Sequence, residues 1–171
     1  MGLAPSLFVS FDASVLYAAD NATPTSGAIG YVVEDATTVH VEGSRSVEAF
    51  VSNTALEYRA LAAAARAVDE RFDRVGTLHV HGDADAVIRA VDPDDESTPS
   101  ERVARRRVEA VRERLADVPT VTYRAVSRER NGRAHDLARA GHDPDGEFGR
   151  DADHDFDRDG SDGHGRGVGG G

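Results

Sequence analysis

The stretch SNTALEYRALAAAARAVDERFDRVGTLHVHGD, residues 52–83, is where the chain changes from successive strands to an alternation of helices and strands. Ser52 or Asn53 can cap a helix at its start. Apolar residues then recur at three- and four-residue spacing, at Tyr58, Leu61, Ala62, Ala65 and Val68. This spacing gives the helix one apolar face, which we expect to pack against a sheet. The next element is a strand predicted over residues 75–80.

Three strands are predicted before this helix, over 7–11, 27–33 and 37–41, where apolar or β-branched residues dominate. After it we expect helices over 84–91 and 100–115, a strand over 120–126 and a last helix over 131–141. In the order β-β-β-α-β-α-α-β-α, hairpin-linked strands should be antiparallel and helix-linked strands parallel. The sequence therefore predicts an α/β fold: a five-stranded mixed sheet, three antiparallel strands then two parallel ones, flanked by helices.

Length and composition indicate one domain followed by a polar tail. The chain has 171 residues, 39% of them apolar, which is enough for a hydrophobic core. From Pro144 onward Gly and Asp dominate, and too few apolar side chains remain to offset the entropy cost of ordering. We predict a domain over 1–143 and a disordered acidic tail over 144–171. His142, just before the tail, and His154 and His164 within it alternate with Asp and could bind a metal weakly, but a solvated segment is the simpler interpretation.

No stretch has the pattern of a membrane span or a secretory signal. The apolar runs are shorter than the roughly 18 residues that cross a bilayer, and the opening MGLAPS lacks a basic region followed by a long apolar run. We expect a cytoplasmic protein, monomeric and without a membrane partner.

The charge pattern allows a nucleic-acid partner although the net charge is −11. All 20 basic residues are Arg, and this acidic, Lys-free composition resembles that of haloarchaeal proteins. At about 1 M salt the Debye length is roughly 3 Å, so distant carboxylates would hardly repel a polyanion. Residues 102–139 hold 11 Arg against five acids and could face phosphates. Alternatively, the Arg residues of 102–114 are solvated and paired with Glu109 and Glu113 at helical spacing.

The absence of Cys excludes disulfides, thiolate zinc sites and cysteine nucleophiles. Any bound metal must then lie on oxygen or imidazole ligands, which favours hard cations. In a mixed sheet of this kind, ligands collect at the carboxyl ends of strands near the point where connections change direction. Asp12 and Asp83 both follow predicted strands, so we expect them at this edge.

Four segments carry a resemblance to a known family. They are FVSFDAS at 8–14, SNTALEYRAL at 52–61, LHVHGDADAV at 78–87 and SRERNGRAHDLAR at 127–139. In this order they resemble the four motifs of type 1 ribonuclease H, and the resemblance spans residues 6–141. It is closest to the short archaeal and reverse-transcriptase-like forms, which lack a basic handle loop. The resemblance implies a ribonuclease H-like fold and cleavage of the RNA strand of RNA–DNA hybrids.

The resemblance also implies roles for individual residues. Asp12, Glu57 and Asp83 match three family carboxylates that are catalytic and bind metal. The fourth family carboxylate lies four residues after the Asn that opens the last helix, and here that position is His135. The neighbouring Asp136 is a carboxylate but lies about 100° further round the helix. We therefore assign the fourth catalytic and metal-binding role to His135, which could ligate an ion when neutral or move a proton.

The residue types suit phosphodiester hydrolysis on physical grounds. The reaction needs an activated water and a stabilised leaving oxygen, and two Mg²⁺ or Mn²⁺ ions roughly 3.5–4 Å apart can supply both. Converging carboxylates would repel one another without a cation between them. Singly, Asp12 could only end a strand, Asp83 could only cap a helix and His135 could be a packed helical histidine. Glu57 is harder to explain in this way, because it lies next to an apolar helix face.

Substrate contacts are expected at Asn53 and Thr54, which precede Glu57, and at Asn131, which opens the last helix. Family analogy places contacts to the hybrid minor groove and to 2′-hydroxyls around these motifs, although Asn53 could be only a helix cap. The loop over residues 14–26 looks longer than the family's glycine-rich turn, and no contact is assigned to it.

The implied activity is endonucleolytic, with RNA–DNA hybrids as the main substrate and RNA–DNA junctions or double-stranded RNA as further ones. Two alternatives remain open: a non-catalytic hybrid-binding module, motivated by His135 in the fourth position, and an exonuclease of the wider superfamily.

Overall fold

The computed structural model describes residues 2–48, 50 and 52–143. The elements within these residues are β1 (Ser6–Tyr17), β2 (Pro24–Glu34), β3 (Val39–Val47), α1 (Asn53–Arg71), β4 (Thr77–Gly82), α2 (Asp85–Val91), α3 (Arg102–Arg114), β5 (Thr120–Ala125) and α4 (Gly132–Ala140). Their order is the one that the sequence predicts. The predicted tail, 144–171, lies outside the described residues.

The five strands form one mixed sheet in the order β3-β2-β1-β4-β5. β1 pairs with β2 and β2 with β3 in antiparallel fashion, whereas β4 is parallel to both β1 and β5. The two hairpins and the two helical crossovers require these directions. The predicted α/β fold with three antiparallel and two parallel strands is confirmed.

Helices cover the sheet on both faces. Alternate β1 residues Leu7, Val9 and Phe11 are fully buried, and with the apolar side chains of α1, α2 and α3 they form the main core. α4 packs on the opposite face, where it contacts β1, β2 and β3. Its buried residues Ala134, Leu137 and Ala138 lie against β2, so the protein has a three-layer arrangement.

The close contact between α4 and β2 depends on Gly30. A Cβ atom at this position would lie 2.3 Å from the Ala138 nitrogen and 2.6 Å from the Ala134 carbonyl oxygen. On the neighbouring strand, the Ser44 hydroxyl donates a hydrogen bond to the Leu137 carbonyl oxygen at 2.5 Å. The helix backbone therefore lies directly on the sheet, with no side chain of β2 between them.

Polar side chains satisfy backbone groups at two helix ends. Ser52, rather than Asn53, is the N-cap of α1, and its side chain accepts a hydrogen bond from the Ala55 N–H at 3.1 Å. Arg112 of α3 donates to the Ala90 and Val91 carbonyl oxygens at the end of α2. Part of the Arg-rich segment thus stabilises the fold instead of facing solvent.

The first hairpin is longer than the sequence suggests. β1 continues to Tyr17 and β2 begins at Pro24, so the expected long loop over 14–26 is wrong and only residues 18–23 connect the strands. Residues 12–17 alternate only weakly between apolar and polar side chains, but they remain in the strand because they pair with β2. Asp12 consequently lies inside β1, not at its end as predicted.

Among the described residues, no helix is both long and apolar enough to cross a membrane.

Candidate metal and nucleic-acid site

Two of the candidate carboxylates lie where β4 stops pairing with β1. The parallel ladder between these strands ends at Phe11 and Gly82. Asp12 is the next residue of β1, and Asp83 is the next residue after β4. The chain connections also diverge between these strands, since β1 leads to β2 on one side and β4 leads to β5 on the other, and ligand sites of open sheets form at such a point. The backbone pairing therefore brings these two aspartates together.

Glu57 reaches the same point from α1. It belongs to the second turn of the helix and is 4% exposed, while Asp12 is 2% exposed. One carboxylate oxygen from each of Asp12, Glu57 and Asp83 lies within 4.8 Å of the other two. Residues 45 and 26 positions apart in the chain thus converge on one place.

Without a cation, burial and mutual repulsion disfavour the ionised forms of the carboxylates in this cluster. Burial, followed by repulsion from Asp12, raises the pKa of Glu57 to about 9. Burial also raises the pKa of Asp12, against the opposing effect of its hydrogen bond with His135. Glu57 therefore holds a proton at neutral pH, because two ionised carboxylates this close and this buried would repel each other.

The donor set fits a hard divalent cation. Oε2 of Glu57 is buried and has no hydrogen-bond partner among the described residues, so one lone-pair donor is left for a ligand. Three carboxylates and no sulfur match the preference of Mg²⁺ and Mn²⁺ for oxygen ligands. A cation here would also relieve the repulsion that raises the Glu57 pKa.

His135 joins the cluster through Asp12. Its Nδ1 lies 2.7 Å from the Asp12 Oδ2, and its side chain is 25% exposed. Asp136 is exposed on the outer side of α4, as the helical rotation predicts. The structure thus brings His135, and not Asp136, to the carboxylates, while its catalytic and metal-binding role stays a prediction.

Asn131, expected from the sequence to contact substrate, has a buried side chain. Its side chain is 1% exposed and donates a hydrogen bond from Nδ2 to the Phe11 carbonyl oxygen at 2.8 Å. It therefore ties the start of α4 to the residue before Asp12. In this arrangement the Asn131 side chain positions the site and has almost no surface for a substrate contact.

Asn53 and Thr54 lie exposed in the first turn of α1, one turn before Glu57. Thr54 also lines an open cavity of about 360 Å³ between α1, α2 and the segment before α3. Their proposed contact with substrate stays a prediction. Asp83 is not needed as a helix cap, because the N-cap of α2 is Ala84, without a side-chain hydrogen bond.

Two features of the site were not assigned from the sequence. The Arg128 Nε lies 3.5 Å from the Asp83 Oδ2, and the Arg128 side chain is 74% exposed. In the sequence, Arg128 stands out only as one of the 11 Arg residues of the 102–139 segment. His142, grouped in the sequence analysis with the tail histidines as a weak metal ligand, instead contacts the hydroxyl groups of Ser14 at 2.9 Å and Ser26 at 2.7 Å.

Comparisons with known proteins agree with this architecture. A family model described as reverse transcriptase-like matches residues 16–141. This region includes Glu57, Asp83 and His135 and begins after Asp12. A search of curated proteins finds no match.

Several solved structures share the fold. RNase H1 from the halophilic archaeon Halobacterium salinarum NRC-1 superposes with a TM-score of 0.65 and 25% identity, over 80% of this chain and 96% of that one. The N-terminal RNase H domain of a Mycobacterium tuberculosis protein has a TM-score of 0.69 and 19% identity, over 81% and 94% of the two chains. LC11-RNase H1, isolated from compost and solved in complex with an RNA/DNA hybrid, has a TM-score of 0.62 and 20% identity, over 77% and 93%.

The mixed five-stranded sheet with helices on both faces defines a ribonuclease H-like protein. The family match covers well over half of the chain, and the chain belongs to the reverse transcriptase-like family of ribonuclease H proteins.

Proposed function

We propose that the protein is a metal-dependent endoribonuclease that hydrolyses the RNA strand of RNA–DNA hybrids. The observation that carries this proposal is the convergence of three carboxylates within 4.8 Å of one another, with an unpartnered buried oxygen on Glu57. Such a cluster is costly for stability, so a function as a cation site explains it better than packing does.

Asp12, Glu57 and Asp83 would hold Mg²⁺ or Mn²⁺, two ions per site, with His135 beside Asp12. The ions would supply Lewis-acid activation of water and charge neutralisation at the scissile phosphate. The residues themselves contribute position and proton transfer. His135 orients the Asp12 carboxylate and is partly exposed, so it can exchange a proton with solvent during the reaction.

Arg128 would add positive charge at the open side of the site. Its guanidinium lies against Asp83 and is largely exposed, which leaves it free to turn toward a phosphate when substrate arrives. Exposed Asn53 and Thr54, one helical turn from Glu57, would contact the hybrid minor groove. RNA–DNA junctions and double-stranded RNA are further proposed substrates, and the cytoplasm is the proposed location.

The proposal is tested by cleavage of labelled hybrid, junction and duplex RNA side by side, with Mg²⁺ or Mn²⁺, across a range of salt up to molar concentration. Wild-type protein should cut hybrid internally, and Asp12→Asn and Glu57→Gln should each be inactive. Asp136→Asn is the matched control, since this carboxylate is exposed on the same helix as His135. It should retain activity. An inactive wild-type protein, or an active Asp12→Asn variant, would exclude the proposal.

The same assay separates the two alternatives. Products shortened from one end only would indicate an exonuclease. Hybrid binding without turnover under either metal, unchanged by Asp83→Asn, would indicate a binding module, the possibility raised by histidine in the fourth position.

A further inference from the structure

A second group of metal-ligating side chains lies on β4, before the end of the strand at which the carboxylates meet. α4 covers the face of the sheet opposite α1, but its contacts are with β1, β2 and β3. On β4, buried Leu78 and Val80 alternate with partly exposed His79 and His81. Because side chains alternate along a strand, the two histidines project from the same, less covered face.

The two imidazoles are neighbours on this face. Residues two apart on a strand are separated by about 6.6 Å along it, so two long side chains can reach a common point above the strand. The Phe8 ring contacts both of them: its centroid is 4.9 Å from that of His79, with the rings stacked, and 5.9 Å from that of His81. Phe8 thus limits the positions that both rings can take.

His79 is already oriented as a ligand would be. Its Nδ1 lies 2.7 Å from the Thr122 Oγ1 on β5, which leaves Nε2 for another partner. Histidines that bind metals in proteins usually have this arrangement, in which the second ring nitrogen is hydrogen bonded and fixes the ring orientation. This contact is with Thr122 of β5 and involves none of the three carboxylates.

Two charged side chains lie on the same face as the pair. Arg124 pairs with His81 in the sheet and is exposed, so its long side chain can move away from a cation. Glu34 pairs with Phe8 and adds a carboxylate to the same face.

We propose that His79 and His81 form a two-imidazole chelate for a borderline transition-metal ion, Zn²⁺, Ni²⁺ or Cu²⁺. Imidazole nitrogen suits these ions, whereas the three carboxylates of Asp12, Glu57 and Asp83 suit Mg²⁺ and Mn²⁺. Water would complete the coordination. Neither histidine is among the residues assigned to the proposed nuclease site, and the proposal does not depend on nuclease activity.

The test uses the full chain and Cu²⁺, which binds tightest in the divalent series. At one equivalent, the electron paramagnetic resonance spectrum should show coupling to two nitrogens. The carboxylate cluster includes one imidazole, His135, and cannot produce this pattern alone. His79→Gln and His81→Gln should each reduce it to one nitrogen, and each should weaken Ni²⁺ binding in calorimetry by about tenfold or more.

The control is a double variant, His154→Gln with His164→Gln, which removes two histidines of the 144–171 segment. It should keep the two-nitrogen spectrum and the Ni²⁺ affinity. Circular dichroism of every variant checks the fold. A two-nitrogen spectrum that survives His81→Gln, or that disappears in the double variant, would overturn the proposal.

Discussion

Replacing Gly30 with Ala should separate α4 from the sheet and disturb the carboxylate cluster. The added methyl group would lie 2.3 Å from the Ala138 nitrogen, whereas ordinary contacts begin at 3.4 Å, so the helix must move by about 1 Å. Backbone atoms cannot rotate out of the way as a side chain can. The cost should therefore be near the upper end for overpacking, about 3 kcal/mol.

The same shift would act on the site, because His135 is one turn before Ala138 on α4. A movement of about 1 Å would break its 2.7 Å contact with Asp12. A displacement of this size can reduce a reaction rate on the order of 100-fold. Thermal unfolding should show a Tm lower by about 10 °C, from roughly 3 to 4 °C per kcal/mol for a domain of this size, and the hybrid cleavage assay should show the loss of rate.

Gly132→Ala is the matched control. Gly132 lies in the first turn of the same helix, has no positive φ, and a Cβ there would meet no atom within 4 Å. This variant should keep its activity and gain up to about 1 kcal/mol from helix propensity. If Gly30→Ala melts within 2 °C of the wild type, or if both variants lose activity equally, the argument from close packing is wrong.

Three further predictions concern the site and the tail. In metal-free protein, the buried Glu57 carboxyl is stable only in its protonated form, and burial raises its pKa to about 9. Its contribution to the free energy of unfolding is therefore fully present below the pKa that Glu57 has in the unfolded chain, and it is lost as the pH rises toward about 9. Urea unfolding in chelator should thus show Glu57→Gln gaining on the wild type by up to about 1.4 kcal/mol per pH unit between pH 5 and 8; a constant difference would contradict this. Arg128→Ala should leave Tm almost unchanged, because the guanidinium is exposed. It should lower kcat/KM for hybrid by about tenfold, because a charge-assisted contact with phosphate is lost. A kcat/KM equal to that of the wild type would exclude this role for Arg128. Deleting residues 144–171 should leave the fold intact, and a large fall in the melting temperature would count against the predicted tail.

The local pattern of apolar and polar residues was sufficient to predict the helices and strands and their order along the chain. Periodicities of two and of three to four residues mark strands and helices wherever one face is buried, as in α1 and β4. The resemblance to the fourth family motif selected His135 rather than Asp136, and the structure places His135 beside Asp12. Strand pairing, by contrast, extends β1 and β2 beyond what residues 12–17 suggest, because the ladder depends on hydrogen bonds to a partner strand.

By itself, the sequence determined the α/β class and the mixed sheet, since these follow from local periodicity and from hairpin or helical connections. The acidic candidates came from the resemblance of four segments to the ribonuclease H motifs. Only the tertiary structure decided that Asp12, Glu57 and Asp83 meet within 4.8 Å, that Asn131 is buried against Phe11, and that Arg128 lies beside Asp83. Those contacts join residues 26 to 120 positions apart. They depend on where β4 stops pairing with β1 and on how closely α4 approaches Gly30, and neither property belongs to any one segment of the chain.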